Sequence, residues 1–428
     1  MNNTILILAA RAVSGFGSVL SGASIPLYLS ASGRTEEISI NALFYSMGIV
    51  CTSKFIVPRI AYLDGKTVMQ LSAGIGAIFF LTLGAGVGLS AIHTLPSAAI
   101  LTATLISSVL MALDSNIAGA ILGSTDQNGH LVNIEAWIFT VARTIGPGIA
   151  AVLLATTGPS PTTIFLMDGT TFILAGIIIT LVSISPTTTK SIPNHKNMSF
   201  ISVIKNHQSS FTILAVIAAC AATYNVGIIA HLTLIGMPMS NIAIFSTSQN
   251  IAMVTMGAIL AKYPHIAMPG RFLAVTVVGA AMIVFSISTD FLTLCIATAV
   301  MAFGMVTIIQ GLRTKLATST RSETEKRFDL SVMTSINSGT SILAGAVIAS
   351  ISLWTGWQAI FATAAIVSFG LALSLGLNTI SQKSIWKFRS NCKCPLSKEL
   401  LLRPHLDGTE RTYQKPRDMG AGGFRRTS

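Results

Sequence analysis

The chain has 428 residues, of which 51% are hydrophobic and only 10% charged, with a mean hydropathy of +0.71. Soluble domains carry about 25% charged residues, so the composition excludes a soluble globular protein and points to an integral membrane one. Of the net charge of +12, residues 381–428 supply +7 through 11 Lys/Arg against 4 Asp/Glu, which reads as a basic cytoplasmic tail drawn to anionic lipid and, without a recognition motif, excludes a nucleic-acid partner.

Along the chain, apolar runs long enough to cross a hydrocarbon core of about 30 Å as helices recur twelve times. They are predicted at 5–30, 38–60, 67–90, 96–123, 131–157, 161–185, 209–236, 239–262, 270–289, 291–317, 330–353 and 356–380. The opening MNNTILILAARAVSGFG has no basic leader before its apolar part, so a retained first helix is expected rather than a cleaved signal. PTTTKSIPNHKNMSFISVIKNHQSS is the longest polar interruption before the tail and is rich in turn formers. The expected organisation is an N-terminal six-helix bundle over 1–185, a cytoplasmic linker over 186–208, a C-terminal six-helix bundle over 209–380, and a disordered basic tail over 381–428. Trp386 would anchor the start of that tail at the headgroups. The fold class is therefore an all-α membrane protein, twelve transmembrane helices in two six-helix bundles.

With the N-terminus placed in the cytoplasm, Arg59, Lys66, Lys190, Lys196, Lys205, Lys262, Arg271, Arg313, Lys315, Arg321, Lys326 and Arg327 all fall on the inner side. Arg34 alone is left outside. Short basic loops resist translocation, so both termini are expected in the cytoplasm of a multi-pass protein of a bacterial-type inner membrane. A faint likeness between LDSNIAGAIL (Leu113 to Leu122) and IIQGLRTKLA, ending at Ala317, suggests that the two halves arose by duplication, as in transporters whose halves rock about a central site.

The fifth span, NIEAWIFTVARTIGPGIAAVLL (Asn133 to Leu154), is the least ordinary. Its nine Ile, Leu, Val and Phe residues favour insertion by about 3 to 5 kcal/mol, against about 3 kcal/mol for a central Arg143. Such a helix belongs inside a bundle, with Arg143 facing a partner or a wet cavity. Ala142, Gly146 and Ala150 recur every fourth residue and form a smooth strip, next to Pro147, which removes a backbone donor. The strip is either a bendable hinge contact or plain small-residue packing.

At 1.5 Å per residue, Asp114 lies about 13 Å and Arg143 about 18 Å from the cytoplasmic side, which makes Asp114 the expected partner of Arg143. Arg11, about 9 Å in, is a second candidate for Asp114. Such a pair either switches and carries a proton or is static and fixes helix register. Glu135 and Lys54 lie nearer the cytoplasmic face, where long side chains reach the headgroups. Glu135 is kept among the proton-coupling candidates with Asp114, Arg143 and Arg11. In the second half, Tyr224, Asn225, His231, Gln249, Asn250, Gln310 and Asn337 are candidates for a cavity lining, or else for ordinary interhelical hydrogen bonds.

Enzyme chemistry finds little purchase. DGKT (Asp64 to Thr67) ends like a phosphate loop, but Ile60 stands where its first glycine belongs, and neither HExxH nor GxSxG occurs. The five cysteines show no disulfide or zinc spacing. No enzyme activity, metal or cofactor is expected.

RAVSGFGS (Arg11 to Ser18), ARTIGPGIA (Ala142 to Ala150) and FLMDGTTFILAG (Phe165 to Gly176) resemble the first helix, the helix-five Gly-Pro antiporter motif and the helix-six pattern of the major facilitator superfamily. The likeness is to its branch exporting drugs, siderophores and peptide antibiotics. That resemblance implies proton-driven efflux of a small amphipathic compound, such as an antibiotic, a microcin-type peptide or a siderophore, by a monomer in contact with membrane lipid. It also assigns RIAYLDGK (Arg59 to Lys66) as a reduced cytoplasmic gate loop, with Arg59, Asp64 and Lys66 as its charges. Two motif glycines are replaced by Ala142 and Ala150, and the family's helix-four arginine is absent from LISSVLMALDSNIAG (Leu105 to Gly119). A proton-coupled importer and a non-transporting immunity or scaffold protein are the other classes to be weighed.

Overall fold

The computed structural model describes residues 3–34, 36–60, 63–89, 96–157, 162–183, 199–237, 239–267, 271–352 and 354–391. Among them every regular element is helical: α1 (Asn3–Ala31), α2 (Glu36–Cys51), a π-helical turn (Thr52–Ile56) leading into α3 (Val57–Ile60), α4 (Gly65–Leu89), α5 (Ser97–Thr125), α6 (His130–Thr157) and α7 (Thr162–Thr180). There follow α8 (Phe200–Asn206), α9 (Gln208–Leu234), α10 (Met239–Lys262), a 3₁₀ turn (Pro264–Ala267), α11 (Arg271–Ile287), α12 (Phe291–Ala317), α13 (Glu323–Ser352) and α14 (Trp357–Asn391). Ten described segments are long and apolar enough to cross a membrane. α11 is a shorter apolar helix, and α10 is held back in hydropathy by Ser240, Asn241, Ser246, Thr247, Ser248, Gln249 and Asn250. Each of the twelve expected spans thus meets a helix. This is an all-α fold of membrane-crossing helices, in a multi-pass membrane protein.

Three boundaries differ from expectation. Part of the linker is ordered as α8; residues 186–198 lie outside the described residues, as does the tail from 392. α14 runs to Asn391 rather than 380, since no Gly or Pro stands between Gly376 and Pro395 to stop it. The second span is also not one regular α-helix. Thr52 Oγ1 donates to Gly48 O at 2.7 Å and Ser53 Oγ lies 3.3 Å from Ile49 O, back-bonding of the kind that distorts a helix. The π turn forms there and aims Ser53 at α13.

Residues 1–373 form one compact unit, and the end of α14 belongs to a second grouping, 374–428. Within the first unit α1 packs on α6 and α7, α4 on α7, α2 on α5, α9 on α13, and α12 on α10 and α11. Contacts of α6 with α10 and of α13 with α2 and α5 tie early helices to late ones. In lipid, apolar burial does not drive helices together, and close fit does. α6 shows this: it runs unbroken through Pro147, and a Cβ on Gly146 would meet Val19 Cγ1 of α1 at 2.5 Å. Ala142 and Ala150 are buried on the same strip, Ala150 beside Leu20 and Ile164. A continuous core joining α1, α5, α6, α9, α12 and α13 around Leu6, Leu122, Val132, Leu214, Leu316 and Val332 lies toward the face at which α1 begins.

Candidate functional site

Four charged side chains from four helices meet inside that core. Arg11 of α1 lies with Nη1 3.8 Å from Asp114 Oδ2 of α5 and Nη2 3.1 Å from Glu135 Oε1 of α6, and its Nε donates to the same oxygen at 3.1 Å. Arg313 of α12 approaches the other Glu135 oxygen at 2.6 Å and donates to Ser115 O and Oγ at 3.1 and 3.0 Å. The side chains of Arg11, Asp114 and Glu135 are 4%, 7% and 2% exposed and that of Arg313 15%. Two positive and two negative charges are thus removed from water together, an arrangement that stands only while all four remain. Glu135 holds it, since its two oxygens serve two arginines.

This arrangement corrects two expectations. Arg143 does not pair with Asp114, and Glu135 does not reach for headgroups. The reason is helical geometry: Arg143 follows Glu135 by eight residues, which puts it about 12 Å further along α6 and about 80° round it. Asp114 shares the level of Glu135, where Arg11 reaches it from α1. Arg313, read from sequence only as an inner-side charge, was the missed partner. The signal was available in depth, for Glu135 stands five residues inside the start of α6 and Arg313 four inside the end of α12.

Around the quartet, hydrogen bonds join early helices to late ones. Thr314 Oγ1 donates to Asn133 Oδ1 at 2.9 Å, Asn133 Nδ2 to Leu260 O at 3.1 Å and Lys326 Nζ to Ser124 Oγ at 3.0 Å. Thr334 Oγ1 donates to Asn116 Oδ1 at 3.2 Å, and Ser53 Oγ to Ser331 O at 2.6 Å. At Gly123 α5 comes close against α12, where a Cβ would lie 2.3 Å from Ala317 O. This end of the bundle is a closed seam.

The loop carrying Asp64 and Lys66 joins the same seam through a residue not expected there. Arg327 Nη1 donates to Leu63 O at 2.9 Å, and Arg327 pairs with Glu323. Asp64 starts α4, accepting from Thr67 N at 2.7 Å and Thr67 Oγ1 at 2.8 Å. Burial works to raise the Asp64 pKa, but these bonds, with the Arg327 charge, outweigh it and hold the carboxyl below its ordinary range. Lys66 Nζ donates to Thr180 O and Val182 O at the end of α7, and Arg59 only to Phe55 O. Arg59 therefore bonds the backbone of its own span and Lys66 ties the start of α4 to the end of α7, both within the early helices.

Toward the opposite end of the bundle the helices part around a cavity of about 570 Å³. Its walls come from α1 (Ser18, Val19, Gly22, Pro26), α2 (Asn41, Tyr45, Ser46), α5 (Thr104, Ser107, Met111), α6 (Phe139, Arg143, Pro147) and α9 (Asn225). Arg143 is exposed to this space, and no Asp or Glu lines it. Of the second-half candidates only Asn225 reaches it. Tyr224 is buried against Phe245 and Phe285, with its hydroxyl 3.4 Å from Thr298 Oγ1, because an aromatic body at that position fills the core of the late helices. His231 is buried edge-on to Phe361. Gln310 is buried near Gly257, while Gln249, Asn250 and Asn337 are half-buried away from the cavity lining. A further buried acid, Asp168 of α7, accepts from Ser21 Oγ at 2.6 Å. Among the described residues no cluster of three or more His, Cys, Asp or Glu could hold a metal.

No family model matches the sequence, and no curated protein matches it significantly. Solved structures match its fold. The human organic anion transporter MFSD10 (TETRAN) superposes with a TM-score of 0.66 at 14% identity, over 87% of this chain and 100% of that one. A bacterial homologue of the iron transporter ferroportin, in its outward-facing state, gives 0.65 at 15% identity over 90% and 100%. The E. coli fucose:proton symporter FucP gives 0.61 at 14% identity over 86% and 97%. Each is similar to this chain in architecture.

Proposed function

We propose that the chain is a secondary active transporter that exports a small amphipathic compound, such as an antibiotic, a microcin-type peptide or a siderophore, in exchange for protons. The observation that supports this most directly is a cavity closed at one end by a charge-locked seam and flanked at the other by parted helices, within a fold shared with three structures titled as transporters. Arg143 lines that cavity, and facing a wet space is how a central arginine is tolerated at membrane depth. With the basic loops placed in the cytoplasm, the seam is the cytoplasmic gate and the conformation is outward-open.

Glu135 is the group whose proton would matter most. Ionised, it holds Arg11 and Arg313 and shuts the gate. Protonated, it loses most of its hold on both, and the late helices are free to part from the early ones. A proton entering from outside would thus open the gate inward and leave toward the cytoplasm. The restored carboxylate recloses the gate behind the compound being exported. Asp114, held to Glu135 through Arg11, is the second site through which a proton would pass.

The test compares intracellular levels of candidate antibiotics and siderophores in cells with and without the protein, before and after the proton gradient is dissipated. Export lowers the level, and a protonophore abolishes the difference. Raised accumulation would support an importer instead, and no difference for any compound would leave a non-transporting role. Asp114→Asn and Glu135→Gln are expected to abolish gradient-driven flux at unchanged membrane abundance.

A further inference from the structure

Arg143 has a feature the transport reading does not use. Among the described residues it has no carboxylate partner, and it lines the cavity with Tyr45, Asn41, Ser46, Thr104 and Asn225. These neighbours are neutral at physiological pH, and several are already occupied with one another: Thr104 Oγ1 donates to Asn41 Oδ1, and Tyr45 Oη to Met111 Sδ at 3.2 Å. The contrast with the seam is one of charge balance. There, two arginines are matched by two acids; in the cavity, a fixed positive charge faces open space. A guanidinium offers five donors in a flat fork suited to a carboxylate or a similar oxyanion, and walls of low dielectric concentrate its field in the space before it.

We infer that this cavity is a binding site for an amphipathic organic monoanion, whose oxyanion is held by Arg143 and whose apolar body lies against Val19, Ile25, Phe139 and Met111. The cavity's size supports the class. About 570 Å³ falls within the roughly 300 to 1,000 Å³ of sites for drug-sized molecules. One cation without a second positive group in the lining selects one negative charge, and the apolar part of the lining selects an attached hydrophobic group over an inorganic ion. Cations are repelled by Arg143, with no acid nearby to offset it. The inference rests on the transport reading for its biological meaning, but the site is defined without it.

The test uses the purified full-length protein in a neutral detergent and three probes that share one fluorescent body: dansylglycine (anion), dansylamide (neutral) and dansyl-ethylenediamine (cation). Wild-type protein is expected to bind the anion about ten- to a hundredfold more tightly than the neutral probe, the range of a charge-assisted hydrogen-bonded pair. Arg143→Gln should remove that preference, Arg143→Lys should keep part of it, and Arg143→Glu should transfer it to the cation. All three variants must elute as the wild type does on size exclusion, and the retained preference in Arg143→Lys guards against mistaking misfolding for loss of the site. Equal binding of the three probes by wild type, or an anion preference that survives Arg143→Gln, overturns the inference. Anion-selective binding without gradient-driven flux would sink the transport reading and leave this site standing. Gradient-driven flux that does not discriminate between anionic, neutral and cationic compounds, in wild type and in Arg143→Gln alike, would do the opposite.

Discussion

Gly123 is the point at which the closed seam can be tested most directly. A methyl group there would sit 2.3 Å from Ala317 O, 2.5 Å from its carbonyl carbon and 2.7 Å from its Cβ. All three are tied to the α12 backbone, so no side-chain rotation relieves the contact, and α5 and α12 must move apart by about 1 Å to reach ordinary van der Waals separation. Overpacking of this kind costs about 1 to 3 kcal/mol. The cost falls only on the conformation in which the seam is shut, so Gly123→Ala should shift the balance between conformations by about 5- to 150-fold toward one open at the face where α1 begins. The assay is thiol labelling in a background without the five native cysteines. One reporter is Ser46→Cys, on the cavity wall; the other is Ser331→Cys, fully buried in the seam. Gly123→Ala is expected to speed labelling at 331 and slow it at 46. Gly148→Ala, whose Cβ meets nothing within 4 Å, should change neither. If Gly123→Ala leaves both rates unchanged, or raises both together, the seam and the cavity are not alternately open and the reasoning fails.

Three other outcomes follow from the same geometry. Removing the charge of Glu135 leaves Arg313 without a carboxylate and Arg11 with Asp114 alone, so Glu135→Gln should destabilise the closed seam by about 3 to 5 kcal/mol. Its effect and that of Arg313→Gln should combine to less than their sum in a double-mutant labelling cycle. Asp64→Ala removes the cap on α4 and should cost about 1 kcal/mol by thermal unfolding. Because the folded Asp64 pKa is lowered, that difference is present above the ordinary carboxylate value of about 4 and disappears as pH falls through the lowered one. His207, between α8 and α9, is pushed below its usual value by burial, then by Arg321 and Lys315. The folded state therefore takes up its proton later than the unfolded state does, and the wild type loses stability as pH falls from about 6.5 through that lowered pKa. In His207→Gln the slope over that window should be shallower, and an unchanged slope would show that His207 does not contribute.

The helices were legible in the sequence because a membrane leaves the chain few choices. Each span must satisfy its backbone internally, so length and hydropathy were enough to place them, and the small-residue strip of α6 followed from spacing alone. The site was only half legible. That Arg143 faces a cavity is a matter of cost, which composition supplies. Which acid meets which arginine depends on the rotation of each helix about its axis, and the 3.6-residue apolar periodicity that fixes rotation in soluble helices is weak in spans apolar on every side. Depth alone therefore matched Arg143 to Asp114 and passed over Arg313. The π turn that aims Ser53 at α13 was hidden for a related reason: Thr52 and Ser53 could back-bond in a regular helix as well as in a distorted one. Tyr224 and His231 misled because polar atoms on a late helix mark a cavity wall and an aromatic core equally well.

What unites the two charged regions is that α6 carries both. Glu135, in the seam, and Arg143, in the cavity, are separated by about two turns of one uninterrupted helix. Between and beyond them, Ala142, Gly146 and Ala150 present almost no side chain to α1, so α6 is braced there by close contact and not by interlocked bulk. A helix held this way resists bending between two points about 12 Å apart more than it resists small shifts along its smooth strip. Any group that draws Arg143 toward the cavity wall therefore acts on the same rigid body that positions Glu135 between its two arginines. The cost of an arginine in the fifth span is offset by the open space it faces.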